Sequence, residues 1–494
     1  MLRLTLLYAK LIMTELRTLM AKVDNKNVFL FIFEKRVFTK RKKMNRDRLG
    51  SRLGFILLSA GCAIGCGNVW KFPWLTGQYG GGAFVLIYLF FLLIIGWPVM
   101  TMEFALGRAS QKSPVHMYQA LEPAGTKWHW HGIVALIGNV VLMMFYMVVT
   151  GWMLQYFIYT VSGEFSGKTP DQVATGFGAL LADPTTQIID TALIVISAFL
   201  ILSFSLRGGL ERVIKWMMMA LIVIMVIIAA NSFFMDGVKE GLRFYLLPDF
   251  SKMNWSVVVA AMNQAFFTLS LGIGAMAIFG SYIDKSHTLG GESLRVIILD
   301  TFVAIMAGLI IFPACFTYGV KPDAGPSLIF VTLPNIFNNM PAGQLWGSLF
   351  FVFMMFACYS TVLAVCENIL ACMRDLTGWS RRKTAWVCGI GMLILTLPCA
   401  LGFNVLSNLH PLGGNSCIMD LEDFIVSNCL LPLGSLVFVL FCTAKNGWGW
   451  DNFIAEANTG TGLLFRKGLR FYCTYGLPLV IFAIFVIGIL PFFK

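Results

Sequence analysis

Charge is scarce in this chain. Asp, Glu, Lys and Arg make up 13% of its 494 residues, against roughly 25% in soluble domains. That excludes an ordinary water-soluble enzyme or binding module. Histidine is scarcer still. The five histidines (His116, His129, His131, His287 and His410) fall in expected loops, without metal-ligand spacing and without a nucleophile motif. A membrane enzyme is therefore a weak reading. His129 and His131 flank Trp130, where an interfacial aromatic belt accounts for them. No small-residue cleavage site follows the apolar patch NVFLFIF near the N-terminus, which argues against a secretory signal. Cysteine is not scarce, but its twelve copies are scattered through apolar runs, where a free thiol behaves as a small hydrophobe. Cys62 and Cys66 sit one helical turn apart with no His or carboxylate beside them, so packing outweighs metal binding there.

What the chain has in abundance is apolar residues, 58% of the total. Runs of about 20 residues recur, the length that crosses a bilayer as a helix. They predict an all-α polytopic membrane protein of about eleven transmembrane helices. The expected spans lie near 52–73, 83–106, 132–161, 187–206, 213–234, 255–283, 294–318, 345–373, 384–403, 419–443 and 472–493. The net charge of +12 then reports inner loops rather than a nucleic-acid partner. With the N-terminus inside, inner loops carry roughly sixteen Lys and Arg against roughly six outside. This predicts a multi-pass protein of the plasma (inner) membrane, with a cytoplasmic N-terminus and an extracytoplasmic C-terminus. Residues 1–45 form a basic N-terminal extension whose apolar patch is too short to span. It is read either as a disordered arm or as sequence upstream of a true start at Met44.

The stretch RLGFILLSAGCAIGCGNVWKFP, Arg52 to Pro73, is the informative one. Gly61, Gly65 and Gly67 crowd around Asn68 in mid-span. Each glycine costs about 1 kcal/mol in a helix interior. Two readings fit: a small-residue packing seam, or a helix that opens where its backbone lines a cavity. The sixth span carries a matching interruption, FFTLSLGIGA. Spans five apart have inverted topology. Paired broken helices in corresponding positions of two halves mark the central site of a secondary transporter, which favours the second reading. The halves are 46–234 and 255–443, a 5+5 inverted repeat within a transporter domain 46–494, and 472–493 is an additional helix.

Such a site needs hard oxygen ligands for a cation. Freed carbonyls of span one, Asn68, Thr268, Asp300, Ser360 and Thr361 supply them. Asp300 lies within an apolar span, and an acid at membrane depth is a functional hypothesis by default. Half-helix N-termini suit an anionic group, and Tyr146 adds a hydroxyl. Lys71 with Asp423, and Arg46 with Asp375, are opposite charges that fit outer and inner gates or, equally well, solvated loop charges.

Five blocks in order, RLGFILLSAGCAIGCGNVWKFP, GGGAF, FFTLSLGIGA, LDTFVAIMAGLIIFP and ACYSTVLAVCE, resemble the neurotransmitter:sodium symporter family in its bacterial amino-acid branch. The resemblance runs from about Arg46 to the C-terminus. It implies a leucine-transporter-type fold with discontinuous helices 1 and 6, no cofactor, and sodium ions as coupling ions. It implies a first sodium site from Ala63, Asn68, Thr268 and Asp300, and a second from Gly61, Ile64, Ala357, Ser360 and Thr361. The substrate carboxylate would meet the amides of Cys66 and Gly67 and the Tyr146 hydroxyl. Its amine would meet Ala63, Phe267, Thr268 and Ser270. Leu142, Tyr146, Phe267, Ile273, Thr361 and Val365 would form the side-chain pocket, and Phe267 its lid. Lys71–Asp423 would close the outer gate, and Arg46, Tyr282 and Asp375 the inner one. The implied partners are a small-molecule amino acid, Na⁺ and the lipid bilayer, with room for a homodimer.

This chain differs from one or another group of relatives in three informative places. Lys71 stands where relatives usually have Arg and lacks the planar two-point contact. Asp300 stands where chloride-dependent relatives have Asn, which predicts transport independent of chloride. Gly65 stands where amine transporters have Asp, so the substrate should bring its own carboxylate. An apolar pocket then favours a neutral, hydrophobic or aromatic amino acid. Two other readings stay open: a membrane sensor that binds an amino acid without moving it, and proton-driven transport with Asp300 as carrier.

Overall fold

Helix 1 starts where Ser51 can cap it. The Ser51 Oγ accepts from Gly54 N at 3.0 Å, satisfying one of the amides a helix start leaves open. The structure, a computed structural model, describes residues 48–320 and 328–490. The N-terminal extension and Arg46 lie outside the described residues. From Ser51 the chain runs as α1 (Arg52–Ala63) and α2 (Gly67–Gln78), two helices bent by 54° at a short break. Then follow α3 (Gly82–Ser110), α4 (Trp130–Val161), α5 (Pro184–Ser203) and α6 (Leu206–Ser232).

The sixth span is divided into α7 (Trp255–Thr268) and α8 (Ala275–Gly280). The remaining spans are α9 (Leu289–Thr317), α10 (Gly343–Thr377), α11 (Arg381–Leu401), α12 (Ile418–Thr443) and α13 (Lys467–Ile489). Among the described residues, nine helices are long and apolar enough to cross a membrane, and the bent pair makes a tenth. The eleventh that the hydropathy predicts, the divided sixth span, is not among them. Its halves are 14 and 6 residues long, so neither crosses alone. The described residues contain no strand, only two isolated bridges.

The core follows from which faces are covered. α4 and α10 form the most extensive helix pair, and both are buried along most of their middle turns. α1 lies against α10, α9 and α6. Outward faces are apolar at helical spacing: Leu193 and Leu200, Val223 and Ile227, and Ile390 and Ile394 are all exposed. Exposed apolar stripes of this kind mark the surface that lipid covers. α13 buries the smallest share of its length among the spans. The membrane-spanning body is therefore a helix bundle in which α4 packs on α10 and α1 lies against α10.

Candidate functional site

The breaks in the first and sixth spans (α1/α2 and α7/α8, helix 1 and helix 6 below) face each other. After α1, Ile64 turns extended (φ −72°, ψ 105°). Gly65 follows, and Gly67–Lys71 forms a π-helical turn, a form often found at functional positions. Gly65 admits no side chain. A Cβ there would lie 2.1 Å from the Tyr146 hydroxyl and 2.6 Å from Thr361 Oγ1. On the other side, α7 ends at Thr268 and the chain turns through Ser270 (φ 50°), Gly272 (φ 94°) and Gly274 (φ 72°). Among the described residues Ser270 is one of three non-glycine residues in the left-handed region, a conformation that costs about 1–3 kcal/mol. Its hydroxyl donates to the Cys62 carbonyl at 3.2 Å and so ties one break to the other.

Two oxygen clusters sit beside these breaks. In the first, Asn68 Nδ2 donates to Asp300 Oδ1 at 2.8 Å, and Asn68 Oδ1 accepts from Gly65 N at 3.2 Å. The Thr268 hydroxyl lies 3.2 Å from Asp300 Oδ2. All three side chains are fully buried. In the second, Thr361 Oγ1 lies 3.2 Å from the Gly61 carbonyl, 3.1 Å from that of Ile64, 3.4 Å from that of Cys62 and 3.5 Å from that of Ala357. Ser360 Oγ lies 2.9 Å from the Ala357 carbonyl. One hydroxyl has one proton and cannot serve four carbonyls. The surplus of buried acceptor oxygen suits a hard cation.

Between the clusters, the Cys66 amide donates to the Tyr146 hydroxyl at 2.8 Å. Leu142 and Tyr146 share a face of α4, and Thr361 and Val365 share one of α10, since residues four apart lie on one side of a helix. These four, with Ile273, are buried. Cys66, Trp70, Lys71, Tyr146, Phe267 and Asp423 help to line a cavity of about 200 Å³. Lys71 Nζ lies 4.0 Å from the Phe267 ring centre and 3.9 Å from Asp423. The pair is half-exposed and long, as a lysine without a planar fork would make it.

At the opposite end, the Tyr282 hydroxyl donates to Glu367 at 2.9 Å. Asp375 accepts from Ser113 N at 2.9 Å and Ser113 Oγ at 2.5 Å. Their expected partner Arg46 is outside the described residues. Arg381 meets the buried Glu367 at 2.5 Å, a charge pair that the sequence reading did not include. It also missed Glu103 on α3. This fully buried acid accepts from Gly272 N at 2.6 Å and so holds the helix 6 break. The rule that singled out Asp300, an acid inside an apolar span, would have found it. Gln264 was missed too; its amide donates to the Gly67 carbonyl at 2.6 Å. The expected loop position of His131 needs correction. It lies in the first turn of α4, its Nδ1 2.8 Å from the Tyr118 hydroxyl.

The model of the sodium:neurotransmitter symporter family matches residues 46–174 and 179–493. A sodium-dependent transporter of Bacillus subtilis is 32% identical over 446 residues, 90% of this chain and 98% of that protein. One of Haemophilus influenzae is 31% identical over 454 residues, 89% of this chain and 98% of that protein. The crystal structure of MhsT in complex with L-phenylalanine superposes with a TM-score of 0.82 at 35% identity, covering 90% of this chain and all of that one. With two broken helices meeting at a buried, oxygen-rich centre and a family match across nearly the whole described chain, this protein belongs to the sodium:neurotransmitter symporter family and is a sodium-dependent transporter.

Proposed function

We propose that this transporter is a symporter that couples Na⁺ entry to uptake of a neutral, hydrophobic or aromatic α-amino acid by alternating access, without a need for chloride. The observation that carries the reading is the cradle between the breaks. The Cys66 amide and the Tyr146 hydroxyl, 2.8 Å apart, are where a substrate carboxylate would bind. Asn68, Thr268 and Asp300 are where a first sodium ion would bind beside it, with the Ala63 carbonyl. Gly61, Ile64, Ala357, Ser360 and Thr361 would hold a second.

Gly65 supports the substrate class. A protein carboxylate at that position would overlap Tyr146 and Thr361, so the ligand supplies its own. The buried lining of Leu142, Ile273 and Val365 favours an apolar side chain, and the similar protein MhsT is seen with L-phenylalanine. Lys71 and Asp423 over Phe267 would form the outer gate, and Tyr282, Asp375 and Arg46 the inner one. The inverted halves are 46–234 and 255–443, in a plasma membrane, with the N-terminus inside.

Sodium-jump uptake in proteoliposomes tests this. L-phenylalanine accumulates above its external concentration, L-tryptophan competes, and tryptamine, which lacks the carboxylate, does not. Tryptamine competing as well as tryptophan would overturn the carboxylate cradle. Saturable binding with no accumulation would make the protein a sensor.

A further inference from the structure

Two cysteines meet at the cradle, and neither belongs to the ligand sets above through its sulfur. Cys66 Sγ lies 2.8 Å from Cys358 Sγ. Cys66 caps the π-helical turn after the helix 1 break, and Cys358 is on α10, next to Ala357. Cys358 is fully buried and Cys66 is 5% exposed, but Cys66 also lines the cavity that holds Lys71, Phe267 and Asp423. Cys66 is therefore the member of the pair that borders the cavity, and the Cys358 sulfur is in contact with its sulfur.

We propose that Cys66 and Cys358 form a dithiol modification site, which a peroxide-class oxidant closes into a disulfide that arrests transport. The Cys66 sulfur attacks one peroxide oxygen. The O–O bond breaks, and the departing oxygen leaves as water with the thiol proton. Cys66 is then a sulfenic acid. The Cys358 sulfur displaces its oxygen: the S–S bond forms, the S–O bond breaks, and a second water leaves with the Cys358 proton. Two thiols are oxidised and one peroxide is reduced to two waters. A thiol reductant reverses the step by exchange.

The consequence follows from what the bond joins. It ties the opened stretch of helix 1 to α10 beside Thr361, whose hydroxyl lies within 3.2 Å of the Gly61 and Ile64 carbonyls. In a transporter with broken helices, access alternates by movement of one helix group against another around the site. A covalent bond across that junction fixes one arrangement. This consequence rests on the transport reading above; the chemistry of the pair does not. The competing view is that both thiols only pack as small hydrophobes.

The test uses the full chain in proteoliposomes treated with hydrogen peroxide. Peptides bearing Cys66 and Cys358 are mapped by non-reducing mass spectrometry, and sodium-driven L-phenylalanine uptake is measured alongside. A Cys66–Cys358 crosslink is expected. Uptake should fall in proportion to the crosslinked fraction and return with dithiothreitol. Na⁺ with L-phenylalanine should slow the crosslink, because the substrate carboxylate occupies the Cys66 amide. The Cys358→Ala variant should keep its starting uptake through the same treatment. The proposal fails if both thiols of the treated wild type remain alkylatable, or if Cys358→Ala loses uptake as fast as wild type. A crosslink formed in a protein that accumulates no amino acid upholds the dithiol site and overturns the transport reading instead.

Discussion

At Gly65 a single methyl group decides whether the cradle exists. An alanine Cβ would sit 2.1 Å from the Tyr146 hydroxyl, at the end of a rigid ring, and 2.6 Å from Thr361 Oγ1. Forcing extra volume into a packed site costs about 1–3 kcal/mol. Gly65→Ala should therefore lower sodium-driven uptake roughly ten- to hundredfold, read as initial rates at matched protein and matched thermal stability. Wild-type rates would mean that Tyr146 and Thr361 do not close around the break. Asp300 sets the charge of the same centre. Its buried carboxylate accepts from Asn68, and a nearby cation would be the largest local charge. Asp300→Asn removes the fixed negative charge and keeps the shape. A contact to a charged group is worth about 1.5–3 kcal/mol as a hydrogen bond; with the charge gone from a cation ligand, the apparent Na⁺ affinity should fall roughly ten- to hundredfold. Replacing chloride with gluconate should leave wild-type uptake intact and weaken the variant further, because only the variant has a use for an added anion. A several-fold loss in wild type would refute the chloride independence.

The elements that carry the site are interrupted helices, and an interruption needs something to hold it. Gly272 (φ 94°) would put a Cβ 2.2 Å from the Leu431 carbonyl, so the helix 6 turn accepts only glycine there. Its amide is held by Glu103 on α3 at 2.6 Å. Glu103→Ala leaves that buried N–H without its acceptor, a loss of about 1–3 kcal/mol. Glu103→Gln keeps a carbonyl oxygen in place. Thermal unfolding in detergent should show the Ala variant well below wild type and the Gln variant close to it; equal melting of both would deny Glu103 its anchoring role. Glu103 also shows why some of the site was legible in the sequence and some was not. Glycines near Asn68 advertise a break because a helix tolerates them poorly, and the break is where Ile64 turns extended. The partner that holds the second break lies 169 residues away along the chain. No local pattern records that pairing. The same holds for Tyr282, Glu367 and Arg381. Hydropathy located the spans because lipid-facing and buried helix positions are both apolar. The glycines of FFTLSLGIGA marked the break in the sixth span, but hydropathy alone did not set its pieces at 14 and 6 residues.

For the molecule as a whole, the number of cations sets how far a substrate can be concentrated. Two oxygen clusters flank the cradle, one around Asp300 and one around Thr361, which is the physical basis for expecting two Na⁺ per cycle. One charge moving through 100 mV releases about 2.3 kcal/mol. A tenfold Na⁺ gradient adds about 1.4 kcal/mol for each ion. Two ions thus supply about 7 kcal/mol, enough to concentrate a zwitterion, which carries no net charge, about 10⁵-fold. One ion supplies half that energy. The two cases separate cleanly at zero potential, where the gradient acts alone. With the membrane potential clamped at zero, the steady accumulation ratio of L-phenylalanine should rise as the square of the Na⁺ ratio, because each ion contributes its own factor. A first-power dependence would mean that one cluster binds no coupled ion. Accumulation that follows a proton gradient in sodium-free buffer would instead assign the coupling to Asp300 as a proton carrier.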